Sequence, residues 1–267
     1  MVIDFHTHTF PDAMAAKTIA GLEAAGNVKA YTDGTVSGLK ASMREAGIDL
    51  SVILPVVTKP KQFHTINTVA AEITGRDGIL SFGGIHPDSE DYKGELRTIK
   101  ELGLKGIKLH PDYQKTFIDD ERYVRILDYA AELSLIAVIH AGLDIGLPDP
   151  VHCPPDRAAN LLKQLDTANT KIVFAHVGGY DRWDAVEEYL VGKNIWFDIS
   201  YSLHKIGEEQ FLRIVNNHGT DKILFATDSP WGGQKETLER FQKLPLSQEK
   251  KERILYKNAM QLLEIQE

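Results

Sequence analysis

Histidine and aspartate side chains follow four short apolar segments of this 267-residue chain. The first segment ends Asp4-Phe5-His6-Thr7-His8, and three later ones end at His140, His176 and Asp228. Residues separated by one position in a strand share a face, so the imidazoles of His6 and His8 can reach one ion. Burying the Asp228 carboxylate would be costly without a cation or a donor. These nitrogen and oxygen ligands suit zinc, and manganese, iron or nickel would also accept them.

The elements that must position these side chains alternate along the chain. We identify eight apolar, β-rich segments, at residues 2–5, 50–57, 79–85, 105–109, 135–140, 171–176, 195–199 and 222–227. Helical patterns lie between them, at 35–46, 66–74, 95–102, 123–133, 157–165 and 208–216, with a closing helix at 249–265.

This alternation predicts a parallel sheet, and eight units predict closure into a (β/α)8 TIM barrel with a single domain spanning residues 1–267. The alternative, an open doubly wound sheet, lacks the Gly-x-Gly-x-x-Gly turn of nucleotide-binding folds. In such a barrel the active site forms at the carboxyl ends of the strands, where the histidines and Asp228 lie.

Composition narrows the class of partner. A formal net charge of -8 argues against nucleic acid or an anionic membrane surface, so we expect a small-molecule substrate. Cys153 is the only cysteine, which excludes an intrachain disulfide and a cysteine-based zinc site. Without a secretory or membrane-spanning pattern, we expect a cytoplasmic protein; barrels of this type often form homodimers.

The sequence resembles the amidohydrolase superfamily, specifically the amidohydrolase-related group of metal-dependent hydrolases and non-oxidative decarboxylases. The resemblance spans essentially the whole chain. It rests on five motifs and on a near-terminal Asn258-Ala259: Asp4-Phe5-His6-Thr7-His8, Gly106-Ile107-Lys108-Leu109-His110-Pro111, His140-Ala141-Gly142, Ala175-His176-Val177-Gly178-Gly179 and Ala226-Thr227-Asp228-Ser229-Pro230.

The resemblance implies a role for each residue of the site. His6, His8 and His140 would be metal ligands, and Asp228 would be a ligand that also handles the proton of the attacking water. His176 would polarise the substrate or transfer a proton. We expect one divalent ion rather than two, with zinc as the first candidate.

Three further residues are candidates for substrate binding. Lys108 and His110 share strand parity and would face the barrel mouth. Lys108 is either an ammonium that binds a substrate carboxylate or phosphate, which we favour, or a carboxylated bridging ligand as in binuclear members of the superfamily. His86 follows the third segment and either lines the pocket or belongs to a His-Pro turn without a catalytic role.

Loop residues around the predicted site are harder to assign. The segment Gly142 to Asp156 is long and rich in proline, and we expect it to cover the pocket. Some residues that follow the later strands are either specificity groups or ordinary surface residues: Arg157, Arg182, Lys205 and Trp231. We interpret His64, His204 and His218 as solvated surface histidines.

The predicted reaction is hydrolysis of a small polar amide, lactone or ester by a metal-activated water. The alternative on the same site is non-oxidative decarboxylation of a small unsaturated or aromatic acid, with Lys108 binding its carboxylate. A further alternative is a barrel that binds metal or ligand without turnover, or a metal-free lactonase. One barrel fold hosts many chemistries, so the substrate does not follow from the fold.

Overall fold

The computed structural model describes residues 1–147 and 149–266 and contains nine strand segments. β3 and β4 are two pieces of one barrel strand that is interrupted at Phe82, so the barrel has eight strands, as predicted. The segments are β1 (Ile3–Thr7), β2 (Leu50–Ile53), β3 (Ile79–Ser81), β4 (Gly83–Gly84), β5 (Gly106–Leu109), β6 (Ile136–Ile139), β7 (Lys171–Phe174), β8 (Trp196–Asp198) and β9 (Ile223–Leu224).

All paired strands are parallel and follow the order of the chain. Backbone contacts between the first and last strands close the sheet: the amide of Phe5 donates to the carbonyl of Phe225 at 3.0 Å, and Thr7 and Ser229 form a parallel bridge. The fold is therefore the predicted (β/α)8 barrel, and its strands carry their carboxyl ends to one mouth.

Helices cover the outside of the barrel, and none in the described part of the chain is long and apolar enough to cross a lipid bilayer. The longer ones are α1 (Asp12–Gly26), α2 (Val36–Ala46), α3 (Phe63–Ile73), α4 (Tyr92–Glu101), α6 (Glu121–Glu132), α7 (Pro155–Leu162), α8 (Trp183–Tyr189), α9 (Glu208–His218) and α10 (Gln234–Lys243). Shorter ones are α5 (Pro111–Gln114), α11 (Gln248–Glu252) and α12 (Asn258–Leu263), the last two joined by a π turn at Arg253–Lys257.

The helical patterns at 35–46, 66–74, 95–102, 123–133, 157–165 and 208–216 and the closing helix are all present, with shifted ends. Four of the described helices were not predicted from the sequence: α1, α5, α8 and α10. α1 is rich in alanine and buries only Ala15 and Ile19, so its apolar periodicity is weak. α8 has seven residues, too few to show a period clearly.

The barrel interior is filled at its amino-terminal end. Phe5, Phe82, Val138 and Leu224 pack together there, and Met260 of α12 packs against the same cluster. A second, larger cluster lies between the strands and the surrounding helices. Because side chains fill this end of the barrel, open space remains only at the carboxyl ends of the strands.

One histidine assigned to the surface is buried. His218, at the end of α9, stacks on Phe197 with ring centroids 4.1 Å apart, and its Nε2 donates to the carbonyl of Ile195 at 2.9 Å. The prediction of a solvated His218 was therefore wrong, because α9 turns this position toward β8. His64 and His204 are exposed, as expected.

Candidate metal centre

Three predicted ligands converge at the carboxyl ends of the first and last strands. The Nε2 atoms of His6 and His8 lie 3.1 Å apart, and the Oδ1 atom of Asp228 lies 3.3 Å from the first and 3.2 Å from the second. An ion at roughly 2.0–2.2 Å from each ligand would space neighbouring ligand atoms about 3 to 3.5 Å apart. The three atoms are therefore spaced as ligands of one ion would be.

The other nitrogen of each imidazole shows which tautomer is present. Nδ1 of His8 donates to the carbonyl of Leu54 at 2.8 Å, and Nδ1 of His6 donates to Oδ2 of Asp198 at 2.8 Å. Both Nε2 atoms are then unprotonated acceptors, and they face a carboxylate oxygen. Three acceptors at contact distance, two of them on buried residues, repel one another unless a cation lies among them, so the arrangement fits a metal ion.

His140 lies outside this group and contacts His176 instead. Nδ1 of His140 lies 3.0 Å from Nε2 of His176, while Nδ1 of His176 donates to the carbonyl of Ser200 at 3.0 Å. The backbone of His176 has φ 61°, in the left-handed region, which costs energy for a residue with a Cβ. The four residues expected to share one ion thus form a group of three, with His140 beside His176.

The far side of the His140 ring faces Asp112, the first-turn acidic residue of α5. Nε2 of His140 and Oδ2 of Asp112 lie 3.9 Å apart, and both atoms are buried without a hydrogen-bond partner among residues 1–147 and 149–266. The other carboxylate oxygen, Oδ1, accepts the backbone amide of His152 at 2.9 Å and its Nδ1 at 3.1 Å. Asp112 is therefore held beside His140 by the long loop that precedes α7.

Lys108 lies beneath the ligands rather than in the barrel mouth. Its side chain is fully buried, its Nζ lies 3.0 Å from Nε2 of His6, and it does not line the cavity. Burial lowers the pKa of Lys108 to about 8, against the opposing charges of Asp198 and Asp228. The position is next to the predicted metal ligands and has no access to the cavity as a free substrate-binding cation.

His110 does face the cavity. Its Nδ1 accepts the backbone amide of Tyr113, so Nε2 carries the proton and lies 3.3 Å from Oδ2 of Asp144. The rings of His110 and His140 stack at 4.1 Å and 8°. An ion cannot lie in both of two parallel ring planes, so the cluster of His110, His140 and Asp144 is a poor metal site although its atoms are close.

His86 is buried but does not line the cavity. Its Nδ1 accepts the backbone amide of Asp88 at 3.1 Å, inside the turn that follows β4. This contact favours the His-Pro turn, the second of the two roles considered for His86.

Burial sets the charge of the histidines. It lowers the pKa of His6 well below its usual range, with Lys108 adding to the effect, and it does the same to His140 together with the neighbouring His110. Burial alone would raise the pKa of Asp228, but its contacts with His6 and His8 hold it below its ordinary value. His6 and His140 are therefore neutral imidazoles, and the Asp228 carboxylate is ionised.

Asp198 was not identified from the sequence, although it organises the centre. Besides accepting from His6, it accepts the backbone amides of His176 and Ser200 through Oδ1, each at 3.0 Å. The sequence does contain an indication of its role, since Asp198 interrupts the apolar segment 195–199. A buried carboxylate at that position is costly without a donor or a cation, as for Asp228.

A cavity of about 550 Å³ opens above these residues. His8, His110, His140, His176 and Asp228 line one end of it, and apolar side chains line most of the rest. The loop after β6 contributes Leu143, Asp144 and Ile145, so this part of the loop covers the cavity as expected. Trp231 also lines it, whereas Arg157, Arg182 and Lys205 do not.

Several solved structures share the fold of this chain. A solved TIM-barrel protein from Bordetella bronchiseptica, uncharacterised, is 18% identical with a TM-score of 0.77 over 98% of both chains. A dihydroxybenzoic acid decarboxylase from Polaromonas, with bound manganese and the inhibitor 2-nitroresorcinol, is 14% identical with a TM-score of 0.71 over 98% of this chain and 96% of that one.

A third structure, a putative 2-pyrone-4,6-dicarboxylic acid hydrolase from Pseudomonas putida, is 16% identical with a TM-score of 0.67 over 98% of this chain and 97% of that one. No curated protein sequence matches this chain. The model of the amidohydrolase family, in contrast, matches residues 3–265. The chain therefore belongs to the amidohydrolase family.

Proposed function

We propose that this protein is a metal-dependent hydrolase that cleaves a carbonyl compound, an ester, lactone or amide, at the carboxyl end of its barrel. The observation that carries the proposal is the convergence of three unprotonated ligand atoms, from His6, His8 and Asp228, at one end of the cavity. A divalent ion bound there would lower the pKa of its bound water toward roughly 7 and supply a nucleophile at neutral pH.

The protein side chains have separate tasks in this scheme. Oδ1 of Asp228 faces the ligands, which leaves its Oδ2 to accept the proton that the attacking water loses. Asp198 and the carbonyl of Leu54 fix the rings of His6 and His8 by accepting from their Nδ1 atoms. His110 lies at the cavity surface with its Nε2 proton available to a substrate oxygen when it turns from Asp144.

The position of Lys108 supports the carboxylated-ligand alternative over substrate binding. An ammonium at 3.0 Å from Nε2 of His6 would be repelled by a metal ion on that atom, whereas a carbamate on the same nitrogen would offer anionic oxygens. Nδ1 of His140 and Nε2 of His176 would then form a second metal position. We therefore propose two ions, with His176 as a ligand, instead of the single ion expected from the sequence.

Decarboxylation is the second candidate, because solved structures of similar fold include decarboxylases. A decarboxylase needs a group that binds the carboxylate of its substrate. Among the described residues that line the cavity there is no lysine or arginine, and Lys108 lies below it. Apart from the proposed metal ions, the described part of the cavity therefore offers no cation for a substrate carboxylate, which favours hydrolysis of a neutral carbonyl compound.

The test is activity of protein that has been stripped with a chelator and reloaded with zinc or manganese. We expect acid release from an ester, lactone or amide panel, without carbon dioxide release from aromatic acids. His6→Ala should lower this activity at least about a hundredfold, because it removes a ligand, while the exposed His64→Ala serves as matched control. Full activity of His6→Ala, or carbon dioxide as the only product, would refute the proposal.

A further inference from the structure

The walls of the cavity have a chemical character that the metal centre does not explain. Away from the ligands, they are formed by aliphatic and aromatic side chains of the first loop, of β2 and of α3, among them Phe10, Leu54, Ile66 and Ile73. Two of the exposed large hydrophobic side chains of the protein, Val69 at 37% and Ile145 at 39%, lie on this same cavity. The apolar surface thus continues from the metal centre to the solvent.

Charge within the cavity has only one sign. Asp12 and Asp144 line it together with Asp228, and no lysine or arginine is among the described lining residues. A carboxylate or phosphate on the part of the substrate that lies away from the metal centre would lose its hydration in an apolar space without a positive partner. A negative charge on this part of the substrate is therefore disfavoured, because the acidic side chains repel it and no lysine or arginine among the described lining residues pairs with it.

Size gives a third constraint. Cavities of roughly 300–1,000 Å³ hold drug-sized ligands, and the present one, at about 550 Å³, lies within that range. An ester, lactone or amide group fills only the end beside the histidines. The remaining volume is bounded mainly by carbon atoms and is best filled by an alkyl or aromatic arm.

From these observations we infer that the substrate is a neutral carbonyl compound with an extended apolar arm, which lies along the wall formed by β2 and α3. This inference rests on the proposed function for the position of the reacting carbonyl. The inferred substrate differs from the small polar substrate predicted from the sequence, because composition and motifs carry no information about which side chains line the cavity.

The experiment uses metal-loaded protein and straight-chain hydroxamates, which bind metal centres without being turned over. Each added methylene from acetohydroxamate to octanohydroxamate should lower the Kd about fourfold until the cavity is filled, since a buried methylene contributes ~0.8 kcal/mol. The analogue in which a carboxylate replaces the terminal methyl of octanohydroxamate should bind at least about tenfold more weakly than octanohydroxamate. A flat series, or equal affinity for the carboxylated analogue, would overturn the inference.

Two variants locate the arm. Val69→Lys places a cation on the cavity wall and should at least halve the ratio of the Kd of the carboxylated analogue to the Kd of octanohydroxamate. Thr68, in contrast, is exposed on the same helix and lies outside the cavity, so Thr68→Lys should leave this ratio unchanged. An unchanged ratio in Val69→Lys would overturn the placement along α3. If the affinity series behaves as expected but no ester, lactone or amide is cleaved, the proposed reaction fails while the apolar ligand class stands.

Discussion

Nδ1 of His6 donates a 2.8 Å hydrogen bond to Oδ2 of Asp198, and both side chains are buried. Because this contact occupies the Nδ1 proton, the Nε2 lone pair of His6 is directed toward His8 and Asp228. The same carboxylate also accepts the backbone amide of His176. One side chain on β8 thus orients groups that come from β1 and from the turn after β7.

Asp198→Asn should weaken metal binding by roughly 10- to 100-fold, because the amide no longer stabilises the ligating tautomer of His6. The measurement is the Kd for zinc, by competition with a chromophoric chelator. Asp77→Asn, on an exposed side chain far from the centre, serves as the control and should bind zinc like the wild type. Equal zinc affinity in Asp198→Asn and the wild type, with native circular dichroism, would show that Asp198 has only a structural role.

Lys108→Met tests the proposed carbamate. We expect about two ions per chain in the wild type and about one in the variant, since the carbamate oxygens would link the two positions. Protein equilibrated with carbon-13 bicarbonate should show a carbamate signal by NMR that the variant lacks. The exposed Lys100→Met should match the wild type in both measurements. One ion per chain in all three proteins would return Lys108 to an uncarboxylated role.

Asp112→Asn tests the orientation of His140. The amide can keep its oxygen toward His152, so its NH2 group would face Nε2 of His140, donate to it and move the ring proton to Nδ1. A protonated Nδ1 cannot bind metal, so we expect metal content to fall from about two ions to about one. Asp88→Asn, at an exposed ion pair with Arg122, should not change it. Undiminished metal content in Asp112→Asn would contradict this role.

The barrel could be predicted because its signal is local. Each strand is a short apolar run buried on both faces, and each candidate ligand lies at or just after the end of such a run. His6, His8 and Asp228 could therefore be assigned to one mouth of the barrel from the sequence. The strand parity of Lys108 predicted a position facing the barrel mouth, which was wrong because parity does not give depth. Its burial beneath the ligands depends on how far β5 projects relative to β1.

Other features depend on contacts between distant segments. Asp112 and His140 are brought together by α5, a helix of four residues that has no periodic signal. The division of the ligands into a group of three and a separate His140–His176 pair follows from the left-handed turn at His176. The apolar cavity is assembled from loops and helices whose residues look like ordinary core positions in the sequence.

His218 gives a prediction about stability that is independent of the metal centre. Its Nδ1 accepts the backbone amide of Gly192 at 3.2 Å and its Nε2 donates to the carbonyl of Ile195, so the structure holds the neutral ring. Burial lowers the pKa of His218 to about 4, while an unfolded histidine titrates near ~6.5. A pKa that is lower in the folded state means that the unfolded chain takes up the proton first.

The stability that neutral His218 contributes is therefore complete above about pH 6.5 and is lost as the pH falls toward about 4, to a total of about 3 kcal/mol. Urea unfolding from pH 7 to pH 4 should show a smaller loss of unfolding free energy in His218→Asn than in the wild type, although the variant starts from a lower value at pH 7. The exposed His64→Asn should follow the wild-type slope. The carboxylates titrate alike in His218→Asn and in the wild type, so they do not contribute to a difference between the two proteins. An equal change of the unfolding free energy with pH in both proteins would therefore mean that His218 does not remain neutral in the folded protein.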